Sequence, residues 1–256
     1  MSDMKVFETI SEFKNFRRQI HPEVDVGFVP TMGALHQGHT SLLEKSVSEN
    51  DLTFLSIFVN PTQFNDSTDF DKYPKTWQQD LDIAAKAKVD VVFAPKPAEM
   101  YADKYRYKVT ENKFSKLLCG AHRPGHFDGV LTVVLKLLLL TQSTRAYFGE
   151  KDYQQLQLIK DMVASFFIPT EIVSCKTLRE PSGLALSSRN TRLSESGRVQ
   201  AAVIYKTITE SSSAGNAKKN LNDLGFEVDY VEDYKQRRFV AASLEGVRLI
   251  DNVELK

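Results

Sequence analysis

The stretch Asp25-Val26-Gly27-Phe28-Val29-Pro30-Thr31-Met32-Gly33-Ala34-Leu35-His36-Gln37-Gly38-His39 decides the fold. Asp25 to Val29 is a short apolar run that reads as a strand. Pro30 to Gly33 make a turn, and Thr40 to Val47 continue as an amphipathic helix. His36 and His39 therefore stand around a helix N-terminus, spaced to point at one object. Gly38 between them removes a side chain where a ligand would approach the backbone. The free N–H groups and partial positive charge of a helix N-terminus suit phosphate. Imidazoles there can donate hydrogen bonds to oxygens that gain charge as a phosphoanhydride breaks. The pattern points to nucleotide chemistry at this turn.

Outward from this stretch, strand-like and helix-like segments alternate. Ser11 to Ile20 reads as a helix, Leu52 to Val59 as a strand buried on both faces, and Thr76 to Ala87 as a helix. Val89 to Phe93 is a strand stopped by prolines, Leu131 to Leu140 a buried helix, and Arg145 to Phe148 a short strand. Asp152 to Phe166 is a helix and Thr170 to Val173 a strand. This alternation predicts an α/β fold, a Rossmann-like parallel sheet with helices on both faces. The character changes after Glu180-Pro181-Ser182-Gly183. A helix from Ser194 to about Ile208, a flexible connection over Ser211 to Asn216, and a short helix from Lys218 to Leu224 are expected. Phe226 to Val231, Phe239 to Leu244 and Val247 to Ile250 read as strands. The expected division is a Rossmann-like domain over 1–177 and a small α+β C-terminal domain over 178–256, with a hinge near Lys176 to Gly183.

Composition narrows the class. The 256 residues are 42% hydrophobic and 26% charged, as in soluble globular proteins. Lys+Arg and Asp+Glu both number 33, so no basic excess marks a nucleic-acid partner. The two cysteines, Cys119 and Cys175, are far apart, which fits a reducing, cytoplasmic setting rather than a disulfide framework. No apolar signal core follows Met1, and the run Val130 to Leu140 holds Lys136 and is too short to span a bilayer, so no membrane is expected.

Polar clusters follow several predicted strands directly. They are Pro30 to His39, Asn60-Pro61-Thr62-Gln63-Phe64 and Gly149-Glu150-Lys151-Asp152. In an open parallel sheet such loops share one edge, where ligands bind. Lys151 would neutralise phosphate charge, and Asp152 also suits the N-cap of the next helix. Leu186-Ser187-Ser188-Arg189-Asn190 offers hydroxyls and a guanidinium for a mobile phosphate clamp, or is an ordinary Ser-rich linker. Gln63 and Gln155 carry neutral amides that can hold hydroxyls and a carboxylate. Gly33 to Thr40 has P-loop spacing, but histidine stands where that loop needs a charged amine. Cys119-x-x-His122-x-x-x-His126 has metal-like spacing but lacks a further paired ligand. Arg123 and His126 are instead candidates for the cleft.

These motifs in this order resemble pantothenate synthetase, the pantoate–β-alanine ligase family. The matching stretches include Val29 to His36 with Gly38-His39, Ser56 to Pro61 with Gln63-Phe64, Tyr73-Pro74, and Arg123-Pro124-Gly125-His126-Phe127. Phe148 to Gln155, Gly183 to Asn190 and Arg248 to Asn252 complete them. The resemblance implies an ATP-dependent ligase of pantoate and β-alanine that works through pantoyl adenylate, with Mg²⁺ bridging the phosphates and a homodimeric assembly. It implies an ATP site of Met32, Gly33, Ala34, Leu35, His36, Gln37, Gly38 and His39, with Gly149, Glu150, Lys151, Asp152, Leu178, Leu186, Ser187, Ser188 and Arg189. By the same resemblance His39 would be the proton donor, Gln63 and Gln155 would hold pantoate in the nucleotide-binding domain of 1–177, Gln63 would also lie where β-alanine enters, and residues 178–256 would form a lid. Asn60, Tyr73, Arg123 and His126 are further cleft candidates. Positive charge from His36, His39, Lys151, Arg189 and Mg²⁺ would let an anionic carboxylate approach an anionic phosphate. Lys75 follows Tyr73-Pro74 where the family often has arginine, and Cys119 stands where many members carry an acid. Adenylyl transfer to a different acceptor and a non-catalytic nucleotide-binding regulator are the rival readings.

Overall fold

The computed structural model describes residues 4–65 and 67–255. Six parallel strands form the larger sheet: β1 (Lys5–Phe7), β2 (Val26–Thr31), β3 (Leu52–Ile57), β4 (Val91–Phe93), β5 (Arg145–Gly149) and β6 (Glu171–Cys175), ordered β1-β4-β3-β2-β5-β6. From β2 the chain steps outward through β3 to β4, then returns to the other side of β2 as β5. The strand order thus reverses between β2 and β5, and in open sheets the ligand crevice opens at the carboxyl ends beside that reversal. Those ends are Thr31 and Gly149. Topology alone brings the His36 loop and the Lys151 loop together.

The central strands are apolar throughout because helices cover both faces. Val26, Phe28, Phe54, Val91, Phe93, Ala146 and Phe148 enter one core, and Val29, Leu55, Val92 and Tyr147 the other. Phe13 of the helix Ile10–Arg17 stacks on Phe93 at 4.3 Å between centroids. The helix His126–Thr141 lies in the first core, burying Val130, Leu131, Val133, Val134, Leu137 and Leu138. Each such side chain contributes ~1.5–3 kcal/mol on burial, which accounts for the apolar run. No helix of the described residues is long and apolar enough to cross a membrane.

One contact ties this helix to the site. A Cβ on Gly129 would lie 2.3 Å from the Thr62 carbonyl oxygen and 2.8 Å from the Gln63 nitrogen. We expect Gly129→Ala to cost about 1–3 kcal/mol, as overpacking does, and to displace Gln63. An unchanged urea midpoint would show that the 61–63 turn yields freely.

The smaller sheet is antiparallel, β7 (Glu227–Tyr234), β8 (Arg237–Leu244) and β9 (Val247–Glu254). Strand alternation splits its faces. Tyr230, Phe239 and Ala241 join the main core, whereas Val231, Val240, Ala242 and Leu244 pack with Ile204, Ile208 and Leu221 beneath the helices.

Several elements differ from the sequence reading. The edge strand β1 carries too few residues for a periodic signal. The helix expected from Ser194 to Ile208 is two, Glu195–Ala201 and Val203–Glu210, separated by Ala202. The stretch Ser211 to Asn216 is not wholly a connection, since Ser213 caps a helix over Ala214–Asp223 by accepting from the Asn216 N–H. The loop at Leu186–Asn190 is held by several hydrogen bonds. Ser187 caps a 3-10 turn over Ser188–Arg192, the Ser188 hydroxyl donates to the Ala34 carbonyl at 3.0 Å, and Asn190 donates to Ala185.

Candidate active site

His36 and His39 form a reciprocal cap on the helix Gln37–Glu49. The Gly38 N–H donates to His36 Nδ1 at 3.1 Å, and the His36 N–H donates to His39 Nδ1 at 3.3 Å. The rings lie 4.1 Å apart. With both Nδ1 atoms accepting, the hydrogen-bond network assigns the neutral-ring protons to Nε2. Burial pushes His36 down to about 4, with Lys151 adding to the effect. Burial, His36 and Lys151 push His39 down to about 3. Near neutral pH these are two N–H donors, not two cations as the charge argument from sequence expected. A Cβ on Gly38 would sit 2.8 Å from the His36 ring. The glycine makes room for its neighbour's imidazole while it also lines the adjoining cavity.

Gly33, Ala34 and Leu35 do not line the cavity beside the imidazoles. The Ala34 and Leu35 N–H groups donate to the buried Asp80 carboxylate at 3.0 and 2.7 Å, so they are already satisfied. Leu35 packs in the second core. Gln37 is exposed and also lies outside the cavity. Glu150 stands apart too; its carbonyl, with that of Lys151, accepts from the Asn252 side chain of β9 at 3.0 and 2.9 Å.

The remaining candidates converge. A cavity of about 230 Å³ is lined by Met32, His36, Gly38, His39, Asn60, Gln63, Tyr73, Gly149, Lys151, Asp152, Gln155, Leu178, Leu186, Ser187, Ser188 and Arg189. Its apolar wall includes Val130, Val133, Val134 and Leu137, a stripe at helical spacing that reads simply as core in the sequence. Gln63 is fixed at both ends of its amide, donating to Met32 Sδ and accepting from Asn60 Nδ2 at 2.9 Å. Asn60 is buried and in turn accepts from the Tyr101 hydroxyl at 2.6 Å, which makes it the support for Gln63. Lys151 lies 3.6 Å from the Asp152 carboxylate. Asp152 holds the N-cap position of the helix Tyr153–Ser165, but its side chain makes no capping bond. Arg189 is ion-paired with Asp69 at 2.8 Å, and Arg192 reaches the same carboxylate at 2.7 Å.

A larger cavity of about 530 Å³ adjoins the first and shares Gln63, Lys151, Asp152, Gln155, Ser187 and Arg189 with it. Arg123 and His126 line this second space. Cys119, His122 and His126 do not gather into a metal site; among the described residues no three His, Cys, Asp or Glu side chains do. The Cys119 sulfur instead lies 3.1 Å from the Tyr230 hydroxyl.

Asp80, Asp69 and Asn252 were not singled out individually by sequence reasoning. Asp80 and Asp69 act across long sequence separations on backbone amides and guanidinium groups, which leaves no local pattern. The Arg248 to Asn252 motif carries the only hint of Asn252.

The depressed imidazoles have a thermodynamic consequence. Burial, then Arg123, also lowers His126 to about 3. In the unfolded chain all three return to the ordinary value near 6.5. Below that pH the unfolded state binds protons that the native state refuses, so stability falls as pH drops. We expect full stability from these groups above about pH 6.5 and a progressive fall of the urea midpoint towards pH 4. A flat midpoint from pH 6.5 to 5 would mean that the rings are not held neutral.

Comparison with known proteins agrees with this architecture. The family model described as Pantoate-beta-alanine ligase matches residues 5–254. A protein named pantothenate synthetase from Bdellovibrio bacteriovorus is 57% identical over 251 residues, covering 98% of this chain and 99% of that protein. One of the same name from Legionella pneumophila is 49% identical over 249 residues, 97% of this chain and 99% of that protein. The crystal structure of pantoate-beta-alanine ligase from Francisella tularensis, complexed with beta-gamma ATP and beta-alanine, superposes with a TM-score of 0.94 at 44% identity, covering 98% of this chain and 97% of that one. With the match running from the edge strand β1 to the final strand β9, the chain belongs to the pantoate-beta-alanine ligase family.

Proposed function

We propose that this chain joins pantoate to β-alanine at the expense of ATP, giving pantothenate, AMP and pyrophosphate. The observation that carries the proposal is the convergence of His36, His39, Lys151, Ser187, Ser188 and Arg189 with Gln63 and Gln155 on one cavity, in a chain that matches the family throughout. The pantoate carboxylate attacks the α-phosphorus and pyrophosphate leaves, carrying the electron pair of the broken P–O bond. The β-alanine amine then attacks the acyl carbon, loses a proton, and AMP departs.

The residues divide accordingly. The Nε2–H groups of His36 and His39 donate to phosphate oxygens as charge develops there. Lys151 neutralises the approach of anion to anion. The hydroxyls of Ser187 and Ser188 and the Arg189 guanidinium clamp the nucleotide once Arg189 exchanges Asp69 for phosphate. Gln63 and Gln155 hold pantoate without protonating its carboxylate, and the valine wall suits its methyl groups. Mg²⁺ would arrive on the triphosphate, and Asp152, a carboxylate lining the cavity, would be the side chain to hold it. Bound there, Mg²⁺ would neutralise phosphate charge. We further propose that residues 178–256 act as the lid, that the enzyme is a homodimer as the family resemblance implies, and that it works in the cytoplasm. The two free, buried cysteines suit that compartment.

Incubation with ATP and pantoate should release pyrophosphate, and added β-alanine should then release AMP. No pyrophosphate from pantoate, with turnover of another acid, would replace this reading by adenylyl transfer to a different acceptor.

A further inference from the structure

The turn that presents Lys151 has little to hold it locally. A Cβ on Gly149 would meet nothing within 4 Å, and Asp152 makes no capping bond to the helix that follows. The grip comes from the small sheet instead. Asn252 on β9 is buried, and its side-chain amide donates to the Glu150 carbonyl at 3.0 Å and to the Lys151 carbonyl at 2.9 Å. Its oxygen accepts from the Arg237 guanidinium of β8 at 2.6 Å. A guanidinium can only donate and a carbonyl can only accept, so these partners fix which end of the amide carries the protons. Arg237 is held in turn, stacked 3.9 Å from the ring centroid of Tyr153, the residue that opens the helix after the turn.

The residue before Asn252 anchors the same strand to the opposite wall of the nucleotide cavity. Successive side chains of a strand point to opposite faces. Asp251 is buried and takes Arg179 bidentately at 2.5 and 2.8 Å, and its carboxylate also accepts the Asn252 backbone N–H at 2.8 Å. Arg179 follows Leu178, which lines that cavity, and bridges to Ala185, next to the cavity residue Leu186. The Leu186 N–H closes this wall by donating to the Leu178 carbonyl at 3.0 Å. Strand β9 thus reaches from the wall at 178–186 to the turn at 150–152. Asn252 cannot drift without straining a buried ion pair, which is costly to break.

We infer that Asn252 is a positioning residue for adenylation, setting through the backbone where the Lys151 ammonium stands. The inference rests on the ligase reading above. With both amide protons committed to the turn, Asn252 has no side-chain donor left for a ligand, and it does not line the cavity of the imidazoles. It acts through Lys151, which does.

The test combines Asn252→Asp with Lys151→Ala. The aspartate keeps the shape and the Arg237 contact but, ionised, has no proton for either carbonyl. We expect pantoate-dependent pyrophosphate exchange to fall about 10–10²-fold, the scale of an ångström of misplacement, while the reaction of preformed pantoyl adenylate with β-alanine changes far less. In the Lys151→Ala background the same substitution should lower exchange by no more than about twofold further, because the group it places is gone. A role in general stability would instead give losses that multiply in the double variant and fall on both half-reactions. Multiplying losses, equal losses in the two half-reactions, or wild-type exchange in folded Asn252→Asp would each overturn the inference. Absence of pantoate-dependent exchange in the wild type would instead defeat the ligase reading itself. Should Asn252→Asp not fold, Arg237→Met, which frees the amide to turn over, is measured with and without Lys151→Ala. A loss confined to the Lys151 background would support the inference, and multiplying losses or none would overturn it.

Discussion

Replacing His39 by alanine should slow formation of pantoyl adenylate by about 10²–10³-fold, the usual loss for one transition-state donor in a site that excludes water. The geometry gives the reason. His39 Nδ1 is occupied by the His36 N–H at 3.3 Å, so the remaining ring proton is committed to Nε2. Alanine removes that donor and also an acceptor for the helix cap. The cap alone is worth about 1 kcal/mol of stability, which leaves the protein folded and cannot account for the kinetic loss. Thermal unfolding measured beside pre-steady-state pyrophosphate release separates the two effects. Adenylation at the wild-type rate would assign His39 to packing.

The Lys151→Ala substitution should lower the same half-reaction by about 10²-fold while the reaction of preformed pantoyl adenylate with β-alanine changes far less. Lys151 lies in both cavities, beside the imidazoles at one end and Asp152 at the other. Its charge matters most while the triphosphate is present and a carboxylate must approach it. After pyrophosphate leaves, most of that anionic charge has gone. Lys151 is also one of the groups that lower the pKa values of His36 and His39. Its loss should therefore raise both, which proton NMR of the ring resonances would register. Equal losses in both half-reactions would contradict this assignment.

The parts of the site that could be read from sequence are those in which chemistry-bearing residues directly follow a buried strand. Met32 to His39 after β2 and Gly149 to Asp152 after β5 declare themselves because strand, turn and helix alternate in a regular rhythm. What remained hidden depends on contacts across the fold. Asp80 satisfies two amides of the His36 loop from a helix more than forty residues on. Asp69 neutralises Arg189 from a separation of 120 residues. The interruption at Ala202 and the short strand β1 fell below any periodic signal, since tertiary packing rather than local propensity sets them. The packing of the His36 imidazole against Gly38 leaves no sequence pattern either, because it depends on the ring's orientation at the helix cap.

That last contact bears on how the motif persists through descent. His36, Gly38 and His39 interlock through the backbone before any nucleotide arrives, so selection for a well-formed helix end favours keeping the trio intact. The short signature is thus, in the first place, a device of architecture that finishes one end of a helix.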